Sequence, residues 1–286
     1  MSVDFLATMA ESSRARVHSA LATCPRQDME RRAFDSPAPP RLVLSPQGFD
    51  IIAESKLRSP AVGALRAPAQ EDIAARVQSY ATAGAVAVSV LTEPSRFDGS
   101  LRHLEQATRA LAAARVPAMR KDFLVDPYQV LEARVAGAGG VLVILRMLSR
   151  AEITALMEAA AALGLFVLLE AFDEADIDLA GALAAGRSSG GPGAAPVLIG
   201  VNCRDLATLQ VVPGRLEALA SRLPPQLPRV AESGLDDARD AARIAAAGYD
   251  VALVGSALMK HAMPGELLAD MLAAGRGARS GRPSHG

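Results

Sequence analysis

VPAMRKDFLVDPYQVLEARVAGAGGVLVIL, residues 116–145, contains one repeat of the fold. A short apolar run over 116–120 stops at Arg120-Lys121-Asp122. A longer stretch of helical period follows, and a second apolar run occupies 141–145. The same rhythm extends in both directions. Further apolar runs lie at 50–54, 86–91, 166–170, 197–201, 229–232 and 251–254, giving eight in all, with starts roughly 22 to 36 residues apart. That spacing accommodates a strand, a loop, a helix and a return loop. The runs are apolar throughout rather than alternating, as expected of parallel strands covered on both faces. Strand and helix in alternation give a parallel sheet. Eight such units predict an α/β chain folded as a closed (β/α)8 TIM barrel, with an open doubly wound sheet as the alternative.

The bulk composition agrees. A length of 286 residues suits one barrel, which needs about 250. Half of the residues are hydrophobic, enough for a large core. Net charge is −1 with acids and bases interspersed, so no basic footprint for nucleic acid is present. Cys24 and Cys203 make no disulfide framework and fit a reducing compartment. The start Met1-Ser2-Val3-Asp4 lacks a signal-peptide pattern, and no run is long and apolar enough for a bilayer. A cytoplasmic chain without nucleic-acid or membrane partners is expected. His18, His103, His261 and His285 are scattered, so no metal site is expected. Residues 1–45 form an N-terminal helical extension with one or two helices over 4–33, closed by Pro37, Pro39 and Pro40. Residues 46–273 form the barrel. Residues 274–286 are Gly/Arg/Ser-rich and expected to be a disordered tail. The low-complexity stretch 186–196 reads as a flexible insertion on the face opposite the active site.

In such a barrel the active site gathers at the C-terminal ends of the strands. Six runs end in polar groups or Gly-Ser turns: Glu54 with Lys56 beyond it, Arg120-Lys121, Glu170, Asn202-Cys203-Arg204, Glu232-Ser233-Gly234 and Gly255-Ser256. Each alone has an ordinary explanation. Glu170 could be a helix-start charge, Asn202 a turn residue, and Arg120 rather than Lys121 the inward side chain. Together they would converge on one mouth. Ser233-Gly234 and Gly255-Ser256 both follow an apolar strand and precede an Ala-rich helix. Glycine admits a phosphate close to the backbone, and amides at a helix start bind anions. The loops after the seventh and eighth strands are the usual phosphate site of this fold; two tight turns are the alternative.

These residues bring a family into view. AESKLRSP (53–60), LTEPSRFDGSLRHL (91–104), RKDFLVDPYQVLEAR (120–134), LLEAFDEAD (168–176), IGVNCRDL (199–206), AESG (231–234) and VGSALM (254–259) occur in this order. Over roughly 49–270 the chain resembles the indole-3-glycerol-phosphate synthase family of tryptophan biosynthesis. The resemblance implies ring closure on 1-(2-carboxyphenylamino)-1-deoxyribulose 5-phosphate with loss of CO2 and water, using no metal and no organic cofactor. By position it implies Lys121 as general acid and Glu170 as acid/base in the dehydration. Glu54 and Lys56 form a first-strand pair, with Lys56 near the substrate's charged groups. Asn202 orients the anilino ring and hydroxyls, and Arg204 supports them. Glu232, Ser233, Gly234, Gly255 and Ser256 fall in the substrate- and phosphate-binding set, and Ser59 and Pro60 in a flexible first loop that folds over the substrate.

The chemistry suits these residue types. Ring closure needs a proton on the ketone oxygen as the aromatic carbon attacks, and dehydration needs an acid and a base. The first loop departs from the family in reading Pro60-Ala61-Val62-Gly63, where a lysine is common; Ala171-Phe172 and Cys203 also depart. Phosphoribosylanthranilate isomerase, a barrel family with the same phosphate site, uses a cysteine at the first strand end and an aspartate at the sixth. Here those ends carry Glu54 and Asn202. A non-catalytic phosphate-binding barrel would have no need of Lys121, Glu54 and Glu170 together. A monomer or weak homo-oligomer acting on a phosphorylated small molecule is expected.

Overall fold

Apolar, β-branched runs pair where both of their faces can be covered. In the computed structural model, which describes residues 5–59, 63–66, 71–185, 195–206 and 208–280, eight parallel strands close into one barrel. They are β1 Asp50–Ser55, β2 Ala87–Leu91, β3 Ala118–Lys121, β4 Gly140–Ile144, β5 Phe166–Ala171, β6 Val197–Asn202, β7 Arg229–Glu232 and β8 Val251–Val254. Neighbours in sequence are neighbours in the barrel, and β8 returns to β1 with Asp50 opposite Val251. All the expected runs are strands, and the open-sheet alternative is excluded by closure. Two helices precede the barrel, α1 Phe5–Thr23 and α2 Arg26–Asp35. Those following the strands are α3 Ile73–Thr82, α4 Pro94–Phe97, α5 Leu101–Leu111, α6 Pro127–Val135, α7 Arg150–Ala162, α8 Glu174–Ala185, α9 Arg215–Ala220, α10 Ala238–Ala247, α11 Ser256–Lys260 and α12 Pro264–Ser280. None of these is long and apolar enough to cross a membrane, among the described residues.

Local chemistry sets the helix starts. The Asp126 side chain accepts from the Tyr128 amide at 2.7 Å, while the Gln129 side chain accepts from the Asp126 amide at 3.3 Å. This capping box, with Pro127 in the first turn, satisfies amides that have no partner inside α6. Ser149 and Glu152 do the same for α7. The turns above β3 and β4 are thereby fixed in length.

Two apolar layers hold the barrel. The larger lies between strands and helices. The smaller includes Ile52, Met119, Leu142, Phe166, Leu168, Leu198, Val230 and Val251 and fills the interior. Gly140 has no side chain where the Phe166 ring lies; a Cβ there would collide with it.

The C-terminal boundary differs from expectation. The helix α12 continues to Ser280, past the tail expected from 274 onward. Gly275 leaves room for the Phe49 ring, Arg276 donates to Asp50 at 3.1 Å and to the Phe49 carbonyl at 3.0 Å, and Arg279 pairs with Asp250. Residues that look like linker composition are ligands for the N-terminal strand ends. Residues 281–286 lie outside the described residues, as do 186–194, on which the expected insertion falls.

The extension docks over β3 and α6. Arg16 of α1 makes a two-pronged pair with Asp122 at 2.7 and 2.9 Å. Gln129 donates to Ser13 at 2.8 Å, and the Tyr128 hydroxyl donates to the Cys24 carbonyl at 2.8 Å.

Candidate active site

Alternate residues of a strand face the same side. Ile52, Met119, Leu168 and Val230 point into the apolar interior. Two residues on, the same faces carry Glu54, Lys121, Glu170 and Glu232. These four come from β1, β3, β5 and β7, and alternate strands supply one layer of such a barrel. The uppermost inward layer is therefore three carboxyl groups and a lysine.

Lys121 sits between two of the acids. Its Nζ donates to Glu170 Oε2 at 3.1 Å and to Glu232 Oε2 at 3.2 Å. The side chains are 16 % exposed for Lys121, 3 % for Glu170 and 1 % for Glu232. Burial opposes the charge on Lys121, but the carboxylates of Glu170, Glu232 and Glu54 outweigh it and raise the lysine's pKa. Burial pushes Glu232 up to about 8, against the pull of Lys121 and helped by its neighbour Glu170. Its Oε1 is buried without a hydrogen-bond partner. A neutral carboxyl loses less by such an arrangement than a carboxylate does.

The first-strand pair is intact. Lys56 Nζ lies 2.6 Å from Glu54 Oε1. Burial would raise Glu54, but Lys56, Lys121 and Arg204 more than compensate and hold it below the usual carboxylate range. Two glycines on even-numbered positions of the barrel make this layer possible. A Cβ on Gly255, just past β8, would collide with Glu54 Oε1 and stand 3.0 Å from Lys56 Nζ. A Cβ on Gly200, in β6, would collide with Glu232 Oε1. Gly255 thus has a packing reason independent of any phosphate.

Arg120 is not the inward residue. It points into the helix layer, donating to the Gln129 carbonyl at 2.8 Å, Glu132 at 2.9 Å and Asp122 at 3.1 Å. Asp122 also accepts from Arg16, from Thr92 at 2.7 Å and from the Phe123 amide at 2.8 Å. Burial alone would raise Asp122, but Arg16, Arg120 and Thr92 hold it down at about 2. The end of β3 is clamped from outside while Lys121 faces in.

A cavity of about 290 Å³ opens above this layer. Its lining includes Glu54, Lys56, Ser59, Lys121, Glu170, Asn202, Arg204, Glu232, Ser233, Gly234, Gly255 and Ser256. These are the expected site residues, brought together except for Pro60, which lies outside the described residues. Glu232 stands apart from the anion-binding group in which it was expected: its described contact is Lys121. Asn202 Oδ1 accepts from the Arg204 amide at 2.9 Å, so it shapes its own turn as well as lining the cavity. Ser233 and Gly234 both have positive φ, +69°, turning the chain at the top of β7. A Cβ on Gly234 would be 3.0 Å from Cys203 Sγ and Val211 Cγ1.

Sequence reasoning missed the apolar wall. Phe5, Phe97 and Phe123 line one side of the cavity. The Phe123 ring centroid lies 5.8 Å from that of Phe5 and 6.1 Å from that of Phe97. Phe97 and Phe123 stood inside motifs already quoted, so their pairing with Lys121's loop was a usable signal. Phe5 lies far away in the chain and reaches the site only through α1. Lys260, at the end of α11, also lines the cavity.

A closed parallel barrel with a buried lysine–carboxyl layer at its C-terminal mouth defines a (β/α)8-barrel enzyme built for proton transfer. The family model described as "Indole-3-glycerol phosphate synthase" matches residues 6–270. An indole-3-glycerol phosphate synthase of Parafrankia sp. (strain EAN1pec) is 42 % identical, over 82 % of this chain and 81 % of the relative. That of Mycolicibacterium smegmatis is 38 % identical over 96 % of each chain. The chain belongs to the indole-3-glycerol phosphate synthase family, decarboxylating lyases of tryptophan biosynthesis. Among solved structures, 3-hexulose-6-phosphate synthase from Salmonella typhimurium superposes with a TM-score of 0.57 at 13 % identity, over 79 % of this chain and 98 % of that one. Such a likeness concerns the fold alone.

Proposed function

We propose that this chain closes the indole ring of 1-(2-carboxyphenylamino)-1-deoxyribulose 5-phosphate, releasing CO2 and water and leaving indole-3-glycerol phosphate. The observation that carries the residue-level reading is Lys121, held between Glu170 and Glu232 beside an apolar wall.

The aromatic carbon bearing the carboxylate attacks the ketone carbon, and Lys121 gives a proton to the ketone oxygen. The bond to the carboxylate then breaks, and its electron pair restores the ring as CO2 leaves. In the dehydration the hydroxyl formed from the ketone leaves with a proton as water, and a base removes a proton from the neighbouring carbon. Glu170 is the acid/base for this step. The sequence consumes one proton overall, so Lys121 must be recharged. Glu232 has its Oε2 3.2 Å from Nζ. While Glu232 carries its own proton, Lys121 faces one fewer negative charge and is a better acid. Glu54 keeps Lys56 in place at 2.6 Å. The phenylalanine wall suits the anilino ring, with Asn202 orienting it, and Arg204, Ser233, Gly234, Gly255 and Ser256 lie where the phosphate end would rest. Ser59, just past β1, lines the mouth where the substrate would enter. The same reading takes the chain to act as a monomer or weak homo-oligomer in the cytoplasm.

The test is turnover. Indole fluorescence should appear when the purified chain meets the carboxyphenylamino sugar phosphate, with an equal amount of CO2. Consumption of substrate without indole, or no consumption at all, would sink the reading.

A further inference from the structure

The charged groups of the cavity do not offer a phosphate dianion enough free cations. Lys56 is tied to Glu54 at 2.6 Å, and Lys121 to Glu170 and Glu232 at 3.1 and 3.2 Å. Each already gives N–H groups to buried carboxylates, whose charge offsets its own, and moving away from them would leave those carboxylates unpaired, which is costly. Two other cationic side chains line the cavity among the described residues, Arg204 and Lys260. Arg204 already spends one guanidinium N–H on the Leu209 carbonyl at 2.7 Å. Asp236 lines the same cavity and adds a negative charge that an incoming dianion must be shielded from.

We propose that Lys260 binds the phosphate of the substrate, completing a site made with the Gly255-Ser256 turn. The proposal rests on the functional reading above. Ser256 and Lys260 stand four residues apart on α11, so they share a face. Helical side chains lean toward the helix N-terminus, which carries the lysine stem back over Ser256 and toward Gly255. Both side chains line the cavity. Lys260 is exposed, and no ion pair to it is found among the described residues. It is a long, exposed cation lining the cavity, suited to capture an anion whose other end reaches Lys121.

The phosphate does not change in the reaction, so a contact to it stabilises ground and transition states alike. Such contacts appear in KM and not in kcat. The experiment compares wild type, Lys260→Ala and Lys260→Arg in steady-state turnover. Inorganic phosphate serves as one competitive inhibitor, and anthranilate, which has no phosphate, as another. For Lys260→Ala, KM and the phosphate inhibition constant should both rise about twofold to fivefold, the range an exposed charge pair supports. At the same time kcat stays within about twofold, the expectation for lost uniform binding. Inhibition by anthranilate should be unchanged, and arginine should recover most of the loss. Equal KM and equal phosphate inhibition in wild type and Lys260→Ala would overturn the proposal. So would a fall in kcat with phosphate inhibition unaltered, which marks a structural effect. If the wild type makes no indole, the functional reading fails by itself. Titration of wild type and Lys260→Ala with inorganic phosphate, followed by calorimetry, then decides the role of Lys260 alone.

Discussion

Lys121→Arg and Lys121→Met separate the charge of this side chain from its proton. Arginine keeps a cation between Glu170 and Glu232, but its guanidinium is a far weaker acid than an ammonium in the same surroundings and gives up its proton much less readily. Methionine offers neither. A positioned general acid contributes about 10²- to 10⁴-fold, so both variants should lose roughly that factor in kcat, about 3–5 kcal/mol of barrier. Stability should split them. Removing one partner of a buried pair costs about 3–5 kcal/mol when nothing compensates. Here Glu232, already pushed up to about 8, can hold a proton and relieve the repulsion from Glu170, so a cost nearer 1–3 kcal/mol is expected for methionine. At about 2–4 °C per kcal/mol in a chain of this size, the methionine variant should melt several degrees below wild type. The arginine variant should stay close to it. The gap should widen with rising pH, because each proton lost from the carboxyl layer is no longer answered by a lysine. The assays are single-turnover quench for kcat, equilibrium titration for substrate binding, and melting at several pH values. A kcat for Lys121→Arg within tenfold of wild type would refute the assignment, since that side chain keeps the electrostatics and gives up only the transferable proton.

Three further outcomes follow from the same layer. Glu170→Gln should let ring closure and decarboxylation proceed and stall dehydration, so quenched samples should accumulate the ring-closed, undehydrated species; its absence would count against Glu170 in that step. Gly255→Ala puts a Cβ into Glu54 Oε1 and beside Lys56, so kcat should fall as well as KM rise; a pure KM effect would mean the glycine serves only the phosphate. Glu232 has a folded pKa raised to about 8, so its contribution to stability is full below its unfolded value and is lost as pH climbs toward 8. That loss is on the order of 1 kcal/mol per pH unit at most. Glu232→Gln should flatten wild type's decline in urea midpoint between about pH 5 and 8, and an unchanged slope would show that the carboxyl is already ionised there.

The barrel was legible because its signal is repeated. Each strand between 50 and 254 needs a run buried on both faces, and such runs stand out against the polar, helix-period stretches between them. The strand ends were legible for the same reason: a run that stops at Lys121 or Glu170 marks the mouth. What escaped was set by contacts distant in sequence. Arg120 and Lys121 are adjacent; Lys121 faces inward to Glu170 and Glu232, far along the chain, while Arg120 turns to Thr92, Gln129 and Glu132. Phe5 reaches the cavity from α1, which Arg16 ties to Asp122 and Ser13 to Gln129. Gly275, Arg276 and Arg279 carry the composition of a loose tail, yet they fit Phe49, Asp50 and Asp250 at the other end of the barrel.

The glycines of the even-numbered strands tie the fold to the chemistry most closely. A barrel of alternating layers offers its uppermost inward positions to one set of strands at a time. Here the odd strands fill that level with Glu54, Lys121, Glu170 and Glu232. Three acids around one lysine need both space and a proton. Gly200 on β6 gives Glu232 its space, and Gly255 after β8 gives Glu54 and Lys56 theirs. The proton follows from burial: the acid with an unpartnered oxygen and 1 % exposure is the one pushed up to about 8. Glu54, next to Lys56 and within reach of Arg204, is held down instead. Neighbouring carboxyl groups of one layer are thus driven to opposite protonation states, the condition under which one site can both give and take protons near neutral pH. A side chain added at Gly200 or Gly255 would disturb that division before it touched any substrate, which is why the two glycines belong to the catalytic layer although neither handles a proton.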